Sequence, residues 1–303
     1  MQVLDDAAVR RRLKPAMAIA AVRACLEAER SGGLIAPARV RASLGDGDII
    51  FTAGRVPGTG YGFRVYDTRR TARDDQLTVV YDDGTGQIAG AVAGAFLGGA
   101  RTGAIGAVAV DLLADPAADT LGLIGTGRQA YFQLWAIRDV RPLREVRVYG
   151  RDPARCSAFV QQARAELGVA ATAVASPRDA VTGAGLVVLA TTSGQPVIES
   201  EWVRAGAHVT TLGPKQAGAH ECPVDLAGRA RMIVTDSLAQ VDAYPHPFFL
   251  AGTQARGRMR SLASCLAGGS QDRPRPSDLT LFCSVGLAGT EVAVAAALLN
   301  HAA

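Results

Sequence analysis

In the stretch Leu121-Gly-Leu-Ile-Gly-Thr-Gly-Arg-Gln-Ala130, an apolar run gives way to small residues and then to a helical pattern. Leu121 to Ile124 reads as a short buried strand, and Arg128 to Val140 shows helical periodicity. Between them Gly125, Gly127 and Ala130 stand at the G-x-G-x-x-G/A spacing. Each small residue has its own reason: Gly125 for a tight strand-to-helix turn, Gly127 for close approach of a pyrophosphate, Ala130 for close helix packing. The helix start adds unpaired N–H groups and a positive dipole end. With 34 glycines in the chain, a bare match would arise by chance. A second strand-like run at Glu145 to Tyr149 supplies the missing context, and the spacing predicts a dinucleotide site. Gly125, Thr126, Gly127, Arg128 and Gln129 form its expected phosphate turn.

Downstream, strand-like runs at Thr172–Ala175, Leu186–Ala190, His208–Leu212 and Met232–Thr235 alternate with helical stretches such as Pro153–Leu167. This alternation predicts an α/β fold with a Rossmann-type, doubly wound parallel sheet. Such sheets bind ligands outside the carboxyl ends of their strands. That rule selects Thr191-Thr192-Ser193, Gly213-Pro214-Lys215 and Asp236-Ser237. Any one of them could be a plain polar turn, but three around one glycine-rich loop argue for a cleft. After Asp236 the pattern loosens through Tyr244-Pro-His-Pro247, and Gly286 to Asn300 reads as a final apolar helix.

Upstream the period changes. Pro15 to Arg30 reads as a helix with Ile19, Val22 and Leu26 on one face. Five strand-like runs follow: Ala38–Ala42, Asp48–Thr52, Tyr61–Tyr66, Leu77–Tyr81 and Gln87–Val92. Asp82-Asp-Gly-Thr-Gly86 is a hairpin signal between the last two. Arg101 to Leu113 reads as a second helix, closed by a linker at Asp115-Pro116. Arg39 and Arg41, two apart on a strand, should share a face, and Arg64 lies on another strand opposite Tyr61, Phe63 and Val65. Converging guanidiniums would bind a carboxylate bidentately, and a solvated sheet face is the alternative. Arg101, placed by this reading in a helix first turn, would be disfavoured by the dipole unless an anion binds nearby. A side chain reaching out to solvent is the other possibility.

The 303 residues suggest about two domains. Hydrophobic content of 49% and charged content of 20% describe an ordinary globular protein with ample core. The balance of 32 basic against 28 acidic residues gives +4, too little to suggest nucleic acid. Arg10-Arg-Arg-Leu-Lys14 is short enough to be a solvated face. Five scattered cysteines without a C-x-x-C fit reduced thiols in a cytoplasm. The four histidines have no metal-binding spacing, and His220-Glu221-Cys222 gains little weight because sequence neighbours point apart. No targeting segment is evident. The longest uncharged apolar run, Ile88 to Ala100, is short of the roughly 18 residues needed to span a bilayer. The expectation is a soluble cytoplasmic protein with no metal, nucleic-acid or membrane partner.

Four stretches together resemble the ornithine cyclodeaminase/μ-crystallin family: Gly99-Ala-Arg-Thr-Gly-Ala104, Leu123-Ile-Gly-Thr-Gly-Arg-Gln-Ala130, Ala190-Thr-Thr-Ser…Pro196 with Val209-Thr-Thr-Leu-Gly213, and Leu281-Phe-Cys-Ser-Val-Gly-Leu-Ala288. The resemblance implies an α+β dimerisation and substrate domain from 1–115 and 285–303, and a Rossmann domain from 116–284. It further implies a homodimer built through the first domain's sheets. It implies an oxidoreductase using NAD(H) or NADP(H) on a small amino, imino (ketimine) or keto acid. The alternatives are a cyclodeaminase-type lyase using bound NAD, or a non-catalytic ligand-binding protein. By resemblance Arg39 and Arg101 match substrate-carboxylate residues, and Thr102 a residue near the cofactor. Three positions depart from the family: Arg64 and Cys283 stand where lysines are usual, and Lys215 where the cyclodeaminases carry a catalytic Asp.

Two expectations follow. Strand Glu145–Tyr149 ends in Gly150-Arg151, with glycine where an NAD-selective acid would stand and a guanidinium next. That points to NADP(H), with NAD(H) possible and Asp152 as the acid if the turn is shifted. Lys215 and Arg64 are the expected catalytic pair, with Arg64 also facing substrate. A cationic pocket would repel a diamine such as ornithine and favour a dicarboxylate, or a neutral side chain beside a carboxylate. The competing reading has Lys215 pointing into solvent.

Overall fold

A computed structural model describes residues 1–69, 75–244, 246–266 and 274–300. The chain divides into two compact units, one of Met1–Ile105 with Gly286–Ala303 and the other of Gly106–Val285.

The first unit carries β1 (Gln2–Leu4), α1 (Asp6–Arg12), α2 (Pro15–Arg30), β2 (Val40–Ser43), β3 (Asp48–Val56), β4 (Gly60–Asp67), β5 (Gln76–Tyr81) and β6 (Ile88–Ala93). It also holds the start of α3 (Phe96–Leu113). The strands form one sheet in the order β1-β6-β5-β4-β3-β2, antiparallel except for β1 beside β6. Asp82 builds the expected β5–β6 turn by accepting from the Thr85 amide (2.7 Å) and hydroxyl (2.8 Å). The stripe Ala18, Ile19, Val22, Cys25, Leu26 buries α2.

The apolar run Ile88 to Ala100 is not continuous. It splits into β6 and the first turn of α3, because the Asp6 carboxylate of α1 accepts from the Ala95 (3.2 Å) and Phe96 (2.9 Å) amides. A side chain some ninety residues away thus starts the helix. Arg101 therefore sits beyond the first turn, where the helix dipole has largely faded. Phe96–Leu113 is long and apolar enough to span a bilayer by length and composition, but 89% of that window is buried inside the fold, as in a core helix.

The expected boundary at Asp115-Pro116 differs from the observed division, which falls within α3. A Cβ at Gly106 would lie 1.9 Å from the Gln133 side chain, so the later turns of α3 pack with the second unit.

The second unit continues with β7 (Thr120–Ile124), α4 (Arg128–Val140), β8 (Glu145–Tyr149), α5 (Pro153–Leu167), β9 (Ala171–Ala173), α6 (Pro177–Val181) and β10 (Leu186–Leu189). Then come β11 (His208–Thr211), the two-residue strands β12 (Lys215–Gln216) and β13 (Ala219–His220), α7 (Val224–Arg229), β14 (Met232–Thr235) and α8 (Leu238–Asp242). Last are α9 (Gln254–Gly257), β15 (Met259–Ser261) and β16 (Thr280–Cys283). The helix α10 (Thr290–Asn300) belongs to the first unit. The main sheet is parallel throughout, in the order β15-β14-β16-β11-β10-β7-β8-β9. This is the doubly wound α/β arrangement, with its reversal between β7 and β10.

Two strands of this sheet escape the sequence reading. β15 lies at the edge beside β14, and β16 slots between β11 and β14, so those two are not neighbours. His208 helps to seal that slot, with Nδ1 2.8 Å from Thr280 Oγ1 and Nε2 3.0 Å from Thr210 Oγ1. Burial pushes its imidazole down to about 3, so the ring stays neutral. In Tyr244-Pro-His-Pro247, Pro245 lies outside the described residues.

Candidate active site

A cleft of about 270 Å³ opens at the carboxyl ends of β7, β8 and β10 in the second unit. Gly125, Thr126 and Gly127 form its floor, Gly150, Arg151, Asp152 and Arg155 one end, and Thr191, Thr192 and Ser193 a wall. The glycines separate by cause. Gly125 has φ +116°, and a Cβ there would fall 2.3 Å from the Ala190 carbonyl, so the protein itself requires glycine. At Gly127 an added Cβ meets nothing within 4 Å. The backbone lies open there, as close approach of a pyrophosphate demands. Ala130 is fully buried where α4 packs down. The residues present therefore fit a dinucleotide.

Several expected cofactor residues do not line this cleft. Arg128 is exposed at the start of α4 and Gln129 half-buried beside it. Asp236 is fully buried, accepting from the Val285 amide (2.7 Å) and the Ser284 hydroxyl (3.1 Å), so it ties β14 to the chain after β16. Gly213 is packed against the Thr191 carbonyl and the Glu221 carboxylate, with no room for a Cβ. Thr102 belongs to the first unit and donates to the Gly98 carbonyl at 2.9 Å.

Asp152, the residue that could have marked an NAD site, caps α5 with one carboxylate oxygen, accepting from Ala154 (2.9 Å) and Arg155 (3.1 Å). Arg155 is an addition that the sequence reading missed. It stands four residues after Arg151, and both line the cleft end.

Behind the wall lie two buried side chains of opposite charge, Lys215 and Glu221. Lys215 is 2% exposed, which excludes the solvent-pointing alternative, and its Nζ donates to the Gly213 carbonyl at 2.7 Å. Burial pushes this amine below the ordinary lysine range, against the opposing charge of Glu221. Cys283, where the family has lysine, is also buried. Its thiol is pushed up to about 12 by burial, so it supplies no charge of its own. His220, Glu221 and Cys222 do point apart: the His220 ring contacts the Cys222 carbonyl (2.8 Å), while Glu221 turns inward. They form no catalytic cluster.

The first unit gathers arginines around Glu291, the one charged residue in 286–300. Arg101 Nη2 lies 3.0 Å and Arg64 Nη1 3.3 Å from the same Glu291 oxygen. All three side chains are over nine-tenths buried. Burial alone would push the Glu291 carboxyl up. The guanidiniums of Arg101, Arg64 and Arg39 outweigh it and hold the group below the usual carboxylate range.

Arg64 is further held by Gln76 Oε1 (3.0 and 2.6 Å) and lies 4.2 Å from the Tyr66 ring centroid. These contacts suit it to fixing Glu291 rather than moving protons. Arg101 differs, since its Nε and Nη1 are buried without a hydrogen-bond partner among the described residues. A Cβ at Gly286 would lie 2.9 Å from Arg39 and 3.3 Å from Arg101, so the two guanidiniums flank one backbone position. Arg101, with donors to spare beside its bond to Glu291, is the group placed to take an incoming carboxylate. Arg41 does not join them; it is exposed and pairs with Asp48 at 3.3 Å.

The sequence model of the ornithine cyclodeaminase/mu-crystallin family matches residues 2–303. The chain belongs to that family. An uncharacterized cyclodeaminase of Sinorhizobium fredii is 35% identical over 66% of this chain, and the match spans only 61% of that relative's length. The iminosuccinate reductase of Paracoccus denitrificans is 32% identical over 75% of this chain and 71% of that protein. Its structure in complex with NAD+ superimposes with a TM-score of 0.88 over 100% of this chain and 96% of that one, at 25% identity. An archaeal alanine dehydrogenase dimer with bound NAD gives a TM-score of 0.87 at 26% identity, over 99% and 95% of the two chains. Family structures thus hold nicotinamide dinucleotides, and a solved lysine cyclodeaminase, at 28% identity and a TM-score of 0.84 over 99% of this chain and 92% of that one, is similar to this chain as well.

Proposed function

We propose that this family member is a nicotinamide-dependent oxidoreductase acting on a small amino, imino or keto acid. The observation that carries the reading is that one chain holds a dinucleotide cleft in its second unit and, in its first, a buried arginine cluster whose Arg101 has two nitrogens without a hydrogen-bond partner among the described residues. Arg101 and Arg39 take the substrate carboxylate. A nicotinamide dinucleotide held by Gly125–Gly127 and Thr191–Ser193 would supply hydride-transfer chemistry, and Lys215 gives or takes the proton at the reacting nitrogen or oxygen. The lyase alternative is weaker on one observation. Cyclodeamination needs a carboxylate base at the place held by Lys215, and the nearby carboxylates, Glu221 and Asp236, are already acceptors in the protein's own hydrogen bonds. Nicotinamide absorbance change with a panel of ketimines and amino acids tests the reading. Ammonia release without net cofactor turnover would replace it with the lyase.

Within that reading the cofactor preference is for NADP(H). Two guanidiniums, Arg151 and Arg155, stand at the ribose end of the cleft, and the local acid Asp152 is engaged in capping. Wild-type protein is expected to bind NADPH more tightly than NADH, and Arg151→Ala to erase most of the difference. Tighter NADH binding by wild type in a fluorescence titration contradicts the preference.

A homodimer is the proposed assembly, through the sheet face of the first unit opposite the arginines. Val40, Phe51, Val65 and Leu77 are cross-strand neighbours in one row. Val40 is 61% exposed, and Phe51 and Leu77 are each 38% exposed. An apolar row of this kind is the signature of a covered interface. Phe51→Arg with Leu77→Arg is expected to yield monomers in light scattering; an unchanged mass would reject this face. The five free cysteines, four of them buried, support a reducing cytoplasmic setting.

A further inference from the structure

The Glu221 carboxylate directly follows β13 and is 0% exposed. It accepts five hydrogen bonds. One oxygen takes the Thr191 amide at 2.8 Å and the Thr191 hydroxyl at 2.7 Å. The other takes the Thr211 hydroxyl at 2.8 Å, the Leu212 amide at 2.9 Å and the Gly213 amide. Thr191 opens the loop after β10, and Thr211 to Gly213 end β11, so a single side chain bridges two strand ends. The connection continues into the cleft: the Thr191 hydroxyl, while donating to Glu221, accepts from the Ser193 amide at 3.1 Å. Thr191 and Ser193 are cleft-wall residues.

A buried carboxylate is tolerated only where donors replace its water, and here three amides and two hydroxyls do so. Lys215 grips the same loop through the Gly213 carbonyl, adding an opposite charge. The cluster has no acceptor to spare for a neutral amide. A glutamine in place of Glu221 would turn its NH2 toward one set of donors and strand them.

We infer that Glu221 is a positioning residue for the nicotinamide half of the cofactor, fixing the Thr191–Ser193 wall to the end of β11. The inference rests on the dinucleotide reading above. In this fold the adenosine end lies by the strand after the glycine turn, here β8, and the dinucleotide crosses the reversal between β7 and β10. The wall that Glu221 holds is on the far side of that reversal, away from Arg151 and Arg155.

The geometry separates two ligands. NADH and NADPH reach the wall, whereas 5′-AMP and 2′,5′-ADP occupy only the adenosine end. Titrations on the full-length protein would compare wild type, Glu221→Gln and Thr191→Val. Glu221→Gln is expected to weaken the intact cofactor about tenfold, as loss of hydrogen bonds to a charged group does, while leaving the better-binding adenosine fragment within about twofold. Thr191→Val, which keeps the carboxylate and the Thr191 amide bond, is expected to show a smaller loss in the same direction. It carries the test if Glu221→Gln does not fold. Equal weakening of cofactor and fragment would mean that Glu221 merely supports the fold, and overturns the assignment. So does an unchanged cofactor affinity. If wild type binds neither cofactor nor fragment, the dinucleotide reading itself fails.

Discussion

Lys215→Ala is expected to lower nicotinamide-dependent turnover by ~10²–10⁴-fold, the usual contribution of a positioned proton donor or acceptor. Cofactor affinity should stay close to wild type, because Lys215 does not line the dinucleotide cleft. Burial sets the size of the effect. An ordinary lysine holds its proton too firmly near neutrality, and burial lowers the Lys215 amine from that ordinary range, against the opposing charge of Glu221. The sign follows from the reaction direction. When Lys215 acts as the acid in reduction, kcat/KM falls as pH rises through its lowered pKa, and oxidation shows the opposite limb. Single-turnover measurements with wild type and variant across pH check both points. If Lys215 serves only as the counter-charge of Glu221, alanine would lower stability and cofactor binding alike and leave no pH limb to remove. The same charge placement predicts no conversion of ornithine to proline and ammonia, since a distal cation would meet a protein-held ammonium. Appearance of proline at an enzymatic rate would reject the oxidoreductase assignment for this substrate class.

Arg101→Lys is expected to raise the substrate KM roughly 10- to 100-fold, the equivalent of about 1.5–3 kcal/mol for a lost charge-assisted contact. The reason is geometric. Arg101 keeps Nη2 on Glu291 and leaves Nε and Nη1, one on either side of it, without a hydrogen-bond partner among the described residues, so donors remain for a second carboxylate. A lysine ammonium can satisfy Glu291 or the substrate, but it cannot offer a parallel fork to the second while holding the first. Cofactor affinity, measured without substrate, should change much less. Equal loss of both affinities would show that Arg101 serves the fold through Glu291, and loss of neither would remove it from the site.

Much of the molecule was legible in the chain because the signals are local. A strand, two glycines and an alanine at fixed spacing describe the β7 turn without reference to anything distant. The N-terminal helix of Pro15–Arg30 needs only its own apolar stripe. The contrast of Gly150-Arg151 with the usual acid is likewise readable from one strand end. By the same logic Glu291 could have been found, as the lone charge in an otherwise apolar helix, and Arg155 as the next basic residue one turn beyond Arg151.

What the chain alone determined is therefore the set of parts: an α/β sheet with a dinucleotide turn, a mixed N-terminal segment, and a supply of arginines. Tertiary structure decided what those parts do, because burial and long-range pairing set charge and hydrogen bonding. The start of α3 depends on Asp6, whose carboxylate arrives from another helix. β16 enters the sheet between strands that precede it, a placement with no local cost or signal. Glu221 looked inert beside His220 and Cys222, and only the folding of two strand ends onto it supplies five donors. Asp236 looked like a cleft residue and is instead enclosed. Arg39 and Arg41, equivalent by alternation, part company because one reaches Gly286 and the other the half-buried Asp48. A side chain's chemistry is fixed by its sequence identity, but its charge state and partners are fixed by the water it loses, and that loss exists only in the folded chain.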